Sequence, residues 1–139
     1  MDAFWPGPLT LVVSTRDGLD GDLGKANGTV ALRVPDHATM LALLDLTGPL
    51  AVTSANLTGE PPATTALDAE RALGAVCAVI LDAGPSPIGT SSTVLDVTQP
   101  LVRILREGAI GHEAIEAIVG SGAIGAIIGS GGVGEAATA

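Results

Sequence analysis

Six short runs rich in Val, Leu and Ile constrain this chain more than any other feature: Leu9–Thr15, Thr29–Pro35, Leu50–Asn56, Ala78–Ala83, Ser92–Thr98 and Val102–Arg106. Each is strand-length, and turn-forming residues separate most of them, so they predict β-strands. Helical patterns lie between some of them. His37–Leu46 carries apolar residues at 40, 41, 43 and 44 after Pro35-Asp36. Ala66–Ala75 follows Thr64-Thr65, and Thr65-x-x-Asp68 forms a capping box for the free amides of a first turn. A third short helix is expected over His112–Val119. Strands alternating with helices predict an α/β layer fold. The last three runs have no helix between them, so part of the sheet should be antiparallel. The expected fold is therefore a mixed, twisted β-sheet with flanking helices.

The 139 residues suffice for one domain with one core. Phe4 and Trp5 are the only aromatics, so the 47% apolar content must build that core from aliphatic side chains. Net charge is −9, with six basic residues in all. That argues against a nucleic-acid-binding surface, which needs clustered Lys and Arg. No basic run offers general attraction to anionic lipid either. Being few, the basic residues carry more information. Cys77 is the sole cysteine and lies in the apolar run Val76–Leu81, which predicts a buried small hydrophobe. With no intrachain disulfide and no signal-peptide pattern, a cytoplasmic location is expected. His37 and His112 are isolated and read as helix-start or surface residues, so no metal cluster is expected.

The two ends are unusual. Phe4-Trp5-Pro6-Gly7-Pro8 leads into a strand almost at once, as if the chain began mid-fold. From Gly120 the sequence is Gly/Ala-rich, and GSGAIG and GSGGVG both match G-x-G-x-x-G. Such a motif binds a dinucleotide only within a βαβ unit, which does not follow here. Gly125-x-x-x-Gly129 resembles a membrane packing motif. However, seven glycines in Ala117–Gly134 oppose a helix. Residues 120–139 are expected to be a flexible tail, and residues 1–119 the domain.

Ligands of α/β sheets gather beyond the carboxyl ends of strands. Three polar stretches qualify. In Thr53-Ser54-Ala55-Asn56, strand alternation would point Ser54 and Asn56 the same way, offering a hydroxyl and an amide to one ligand. The same residues also suit a plain strand-to-turn transition. In Thr29-Val30-Ala31-Leu32-Arg33, period 2 places Thr29, Ala31 and Arg33 on one face, where Arg33 needs a carboxylate or phosphate unless it is a surface residue of an edge strand. In Gly89-Thr90-Ser91-Ser92-Thr93, hydroxyls and free amides either hold an anion or form a polar turn. Arg106 ends the last run. No Ser/His/Asp triad can be drawn, and no catalytic residue is assigned. An Arg pair, hydroxyls and an amide point to positioning and electrostatic stabilisation, as in reactions on nucleotide phosphates.

FWPGPLT, TVALRVPDH, TSANLTGEPP, GTSSTVLDV and ILREG occur in that order. Together they resemble the YrdC-like threonylcarbamoyl-AMP synthases, from about Phe4 to Ile110. The resemblance implies a mixed α/β fold with a large concave cavity. It implies that L-threonine, bicarbonate and ATP, with Mg²⁺ accompanying the nucleotide, give threonylcarbamoyl-adenylate and pyrophosphate. That product serves threonylcarbamoyl modification of adenosine in tRNA, which brings in tRNA-modification partner proteins. Carried over by position, Arg33 would pair with the threonine carboxylate, and Ser54 and Ser92 would line the threonine site. Thr29, Asn56, Thr64 and Arg106 would contact ATP. Gly59 and Pro61-Pro62 would set the turn bringing Thr64 to the cavity. The family domain begins upstream of FWPGPLT and there carries a Lys-x-Arg motif; nothing here matches it, and Lys25 is the sole lysine. The chain therefore reads as the C-terminal part of such an enzyme. An inactive nucleotide- or threonine-binding or assembly module, and a related carbamoyl-transfer domain, stay open as alternatives.

Overall fold

The computed structural model describes residues 3–16, 28–87 and 89–125. Four of the six apolar runs become strands: β1 (Leu9–Ser14), β2 (Thr29–Leu32), β3 (Thr93–Asp96) and β4 (Arg103–Arg106). They form one mixed sheet in the order β2-β1-β3-β4. β1 and β2 are antiparallel, with Leu11 opposite Leu32 and Ser14 opposite Thr29. β1 and β3 are parallel, with Leu9 opposite Thr93 and Val12 opposite Asp96. β3 and β4 are antiparallel, but their register shifts between Val94 and Leu95: Leu95 faces Ile104, whereas Val94 faces Arg106. Leu105 is thus an extra residue, a β-bulge.

Alternation along each strand turns this register into two faces. One carries Leu9, Leu11, Leu95 and Ile104, which join Ile110 and Ile115 in the core. Ile104 is fully buried, which is worth about 1.5–3 kcal/mol for such a side chain. Phe4, Trp5 and Val119 pack against this cluster. Trp5 Nε1 donates to the Leu9 carbonyl at 2.8 Å, so the indole N–H is not left unpaired. Thr93 ties the segment before the last helix to β3: its hydroxyl donates to Ile110 O at 2.7 Å and accepts from Ile110 N at 3.0 Å. The opposite face carries Thr10, Val12, Thr29, Ala31, Val94 and Asp96.

The three helices form where the sequence places them. α1 spans Ala38–Thr47 and α3 spans His112–Val119. Gly48 and Gly120 follow them with φ of 74° and 93°, a left-handed conformation that glycine adopts without a Cβ penalty. His37 is the N-cap of α1, and His112 opens α3. α2 spans Ala66–Leu73, and Thr65 caps it as the capping box requires, accepting from Asp68 N at 3.1 Å. None of the described helices is long and apolar enough to cross a membrane.

The chain divides into two units, residues 1–52 with 90–139 and residues 53–89. The sheet, α1 and α3 belong to the first. The second is α2 with its flanking loops, held by bonds such as Ala63 N to Ala55 O (2.9 Å) and Ser86 N to Thr64 O (2.7 Å).

Two expected strands are absent. Leu50–Asn56 shows only a single bridge residue at Val52, then bends where Asn56 N turns back onto Ser54 O at 3.1 Å. Side chains bond locally here too, Thr53 Oγ1 to Ser54 O at 3.3 Å and Asn56 Nδ2 to Leu57 O at 2.9 Å, and such bonds compete with a ladder. Ala78–Ala83 is irregular, and Val79 is 73% exposed, so this apolar run gains no sheet partner among the described residues. Cys77 is likewise exposed rather than buried, because it follows the turn that ends α2. Of the Gly/Ala-rich segment, residues 121–122 form a turn and Ile124 makes a parallel bridge with Val102. Residues 126–139, and with them GSGGVG, lie outside the described residues.

Ile104→Ala should lower the unfolding free energy by about 2–5 kcal/mol through lost transfer energy and a residual cavity. Val79→Ala, at an exposed position, should stay within ~0.5 kcal/mol. Chemical denaturation of both variants checks the assignment of the core face.

Candidate functional site

The sheet face opposite the core gathers four of the anticipated residues. Arg33 follows β2 directly, in phase with Thr29 and Ala31. Ser92 immediately precedes β3, in phase with Val94. Arg106 is opposite Val94, so the β4 bulge places it on this face; unbroken alternation from Ile104 would have turned it into the core.

Among the described residues the two guanidiniums are fixed by carbonyl and hydroxyl oxygens, not by carboxylates. Arg33 Nε donates to Gly7 O at 2.9 Å. Arg106 donates from Nε and Nη2 to Ser92 O at 3.1 and 3.0 Å, and from Nη2 to Ser92 Oγ at 3.0 Å. Among the described residues the ion pairs are Arg71 with Asp68 and Arg103 with Asp96; neither Arg33 nor Arg106 forms one. Partial burial, and then the charge of nearby Arg106, lower the pKa of Arg33 from its usual value. The guanidinium still stays cationic at physiological pH. Two cations near one another, without an ion pair among the described residues, in a chain of net charge −9 define an anion-accepting face.

Ser92 is buried beneath Arg106, and its Oγ lies 2.7 Å from the Oγ1 of buried Thr10. Gly108 seats this segment. A Cβ there would collide with the backbone of Ser91 and Ser92. Ala109 N then bonds Ser91 O at 3.0 Å. Thr10 and Gly108 were not anticipated as site residues. A polar Thr between Leu9 and Leu11 was the signal for the first, and the glycine closing ILREG for the second.

The second unit holds Ser54, Asn56 and Thr64. Asn56 and Thr64 line one open hollow of about 490 Å³, with Pro61, Pro62, Asp68 and Arg71 in its wall. Asn56 Nδ2 donates to Leu57 O at 2.9 Å, while its Oδ1 is buried without a partner, an acceptor suited to a ligand N–H or O–H. Ser54 is exposed and does not line the hollow. The strand alternation that would have aligned it with Asn56 is lost at the bend. Among the described residues, no three His, Cys, Asp or Glu side chains group to hold a metal ion.

The Sua5/YciO/YrdC family model, described as telomere recombination, matches residues 1–108. The chain belongs to this family. A Mycobacterium tuberculosis protein of the curated set is 47% identical over 116 residues, covering 84% of this chain and 54% of that protein. The Bacillus subtilis threonylcarbamoyl-AMP synthase is 43% identical over 120 residues, 85% of this chain and 35% of its own length. The crystal structure of Pyrococcus abyssi Sua5 complexed with L-threonine matches with a TM-score of 0.81 and 37% identity, covering 86% of this chain and 35% of that one. The chain thus spans about half the length, or less, of the curated relatives it matches. The mixed α/β fold expected from the sequence is that of the family.

Gly108→Ala should cost about 1–3 kcal/mol, because the Cβ must push the Ser92 backbone away; thermal or urea unfolding would measure it. Pyrophosphate at a hundredfold excess over its Kd should stabilise the folded chain by about 2.7 kcal/mol. Arg33→Ala or Arg106→Ala should remove most of that gain, read from melting curves with and without the anion.

Proposed function

We propose that the chain supplies the anion- and nucleotide-holding part of an L-threonylcarbamoyladenylate synthase. This nucleotidyltransferase makes threonylcarbamoyl-AMP and pyrophosphate from L-threonine, bicarbonate and ATP, for tRNA threonylcarbamoyladenosine modification. The observation that carries the reading is the Arg33/Arg106 pair on one sheet face, with no ion pair to either among the described residues and Arg106 bonded to Ser92. The names of the relatives, and the L-threonine bound to the Pyrococcus abyssi protein, support it.

In this reading Arg33 forks onto the threonine carboxylate, with Ser92 beside it, and Ser54 is a further threonine contact. Arg106 and Thr29 meet the nucleotide, and Asn56 and Thr64 are further ATP contacts. Mg²⁺ arrives on the ATP phosphates. Adenylyl transfer releases pyrophosphate, so charge builds on phosphoryl oxygens. A fixed donor directed at such charge is typically worth ~3 kcal/mol. The two arginines, already anchored through Nε, would supply it without reorganising. The acidic balance and scarce lysines disfavour direct tRNA contact by this part, so the adenylate would pass to partner proteins of the modification machinery. An exposed free thiol at Cys77 suits a reducing cytoplasm.

Pyrophosphate release is measured with ATP, Mg²⁺ and bicarbonate, with and without threonine. The 139-residue chain is tested alone and joined to an upstream half bearing Lys-x-Arg. Threonine-dependent release in at least the joined form is expected, falling about 100-fold or more in Arg33→Ala. Threonine or ATP binding with no turnover in either form would point instead to a binding module. No threonine dependence and no effect of Arg33→Ala would overturn the reading.

A further inference from the structure

Thr10 ends the motif FWPGPLT, and nothing in the function assigned above uses it. Its neighbours on β1, Leu9 and Leu11, are buried on the core face, whereas Thr10 is on the opposite face with Ser92 and Arg106. Thr10 is 4% exposed and Ser92 6%. The two hydroxyls are 2.7 Å apart, and either can donate.

Each hydroxyl brings one proton, and the bond between them uses one. Ser92 Oγ also accepts from Arg106 Nη2, and neither hydroxyl donates elsewhere among the described residues. One proton of the pair is therefore left over on the face that carries both arginines. A buried donor without an acceptor is costly, so its placement matters. Thr10 is in the middle of the sheet, in the strand flanked by β2 and β3. Ser92 is at the entry to β3, beside exposed Ser91 and exposed Arg106, where a ligand can reach. The spare proton is less costly on Ser92, and this requires Thr10 to be the donor of the shared bond.

We infer that Thr10 is a positioning residue: by donating its hydroxyl to Ser92 Oγ it leaves the Ser92 O–H aimed outward as a donor to an anionic ligand oxygen held between Arg33 and Arg106. Ser92 then accepts twice and donates once, so the subsite takes a carboxylate or phosphoryl oxygen and rejects an ammonium or amide N–H. This rests on the functional reading above and adds to it the residue that sets the polarity of the serine.

The test is a double-mutant cycle, Thr10→Val and Ser92→Ala singly and together, with Thr10→Ser as the conservative control. Calorimetry is run separately with L-threonine, with threoninamide and with ATP, on the chain joined to an upstream half bearing Lys-x-Arg, and melting curves confirm folding. Thr10→Val should weaken binding of the ligand on Ser92 about tenfold. Whether threonine or ATP loses affinity tells which supplies the oxygen. Thr10→Ser should restore binding to within about twofold, and Thr10→Val should add nothing once Ser92 is Ala. In the threonine case the discrimination against threoninamide should shrink in Thr10→Val. An effect of Thr10→Val that persists undiminished beside Ser92→Ala, or no effect on either ligand, overturns the inference while leaving the functional reading intact. Binding of neither ligand, or indifference to Arg33→Ala, overturns the functional reading instead. The hydroxyl pair is then judged by proton NMR of the free chain. A slowly exchanging Thr10 hydroxyl that Ser92→Ala abolishes upholds the donor assignment, and an unprotected one overturns it.

Discussion

The parallel pairing of Leu9–Val12 with Thr93–Asp96 is the constraint on which the rest of the first unit depends. It joins segments more than eighty residues apart in sequence and puts two opposed demands into one register. On one face Leu9, Leu11 and Leu95 meet in the core. On the other, the same register lays Thr10 against the Ser92–Val94 segment, so the hydroxyl pair and Arg106 follow from the apolar pairing. A slip of one residue would exchange the faces, exposing the leucines and burying the hydroxyls. Burial of the core thereby sets the geometry of the polar face.

The site uses the backbone as much as side chains. Arg33 leans on Gly7 O and Arg106 on Ser92 O, so each cation is oriented by a neutral carbonyl. A carboxylate partner would have held them more tightly but cancelled the charge that an anionic ligand needs. Described carboxylates have other partners: Asp96 accepts from Thr98 and pairs with Arg103, and Asp68 accepts from Thr65 Oγ1 and pairs with Arg71. Among the described residues, no carboxylate pairs with Arg33 or Arg106.

Much of this was legible in the sequence, for identifiable reasons. Helix ends are written locally: the Thr65/Asp68 box and the glycines after α1 and α3 needed no knowledge of distant residues. Arg33, Ser92 and Arg106 stood out as polar residues at the ends of apolar runs, and the sheet brings them to one face. Strand existence was less legible, because a strand needs a neighbour to pair with. Val79 and Leu81 have the composition of a strand and remain exposed, and Cys77 beside them is exposed for the same reason. The Ser54–Asn56 alternation failed because local bonds of the Ser-Asn segment produced a bend. Thr10 went unmarked because a lone Thr in a strand has high β-propensity and needs no further reason to be there.

The bulge at Leu105 gives β4 a property that composition alone would never disclose. Arg103 and Arg106, three residues apart, share a face, whereas an even spacing would be needed in an unbroken strand. The reading frame of the sheet, so to speak, changes within ILREG. Pairing Leu105 with Val94 would restore a regular, better hydrogen-bonded ladder, yet it would turn the terminal guanidinium toward the aliphatic core. Regularity and chemistry are in conflict at this point, and the chain retains the irregular solution. In this segment pairing register carries as much chemical meaning as residue identity: a change of register that leaves every charged side chain in the sequence would still remove one charge from the site.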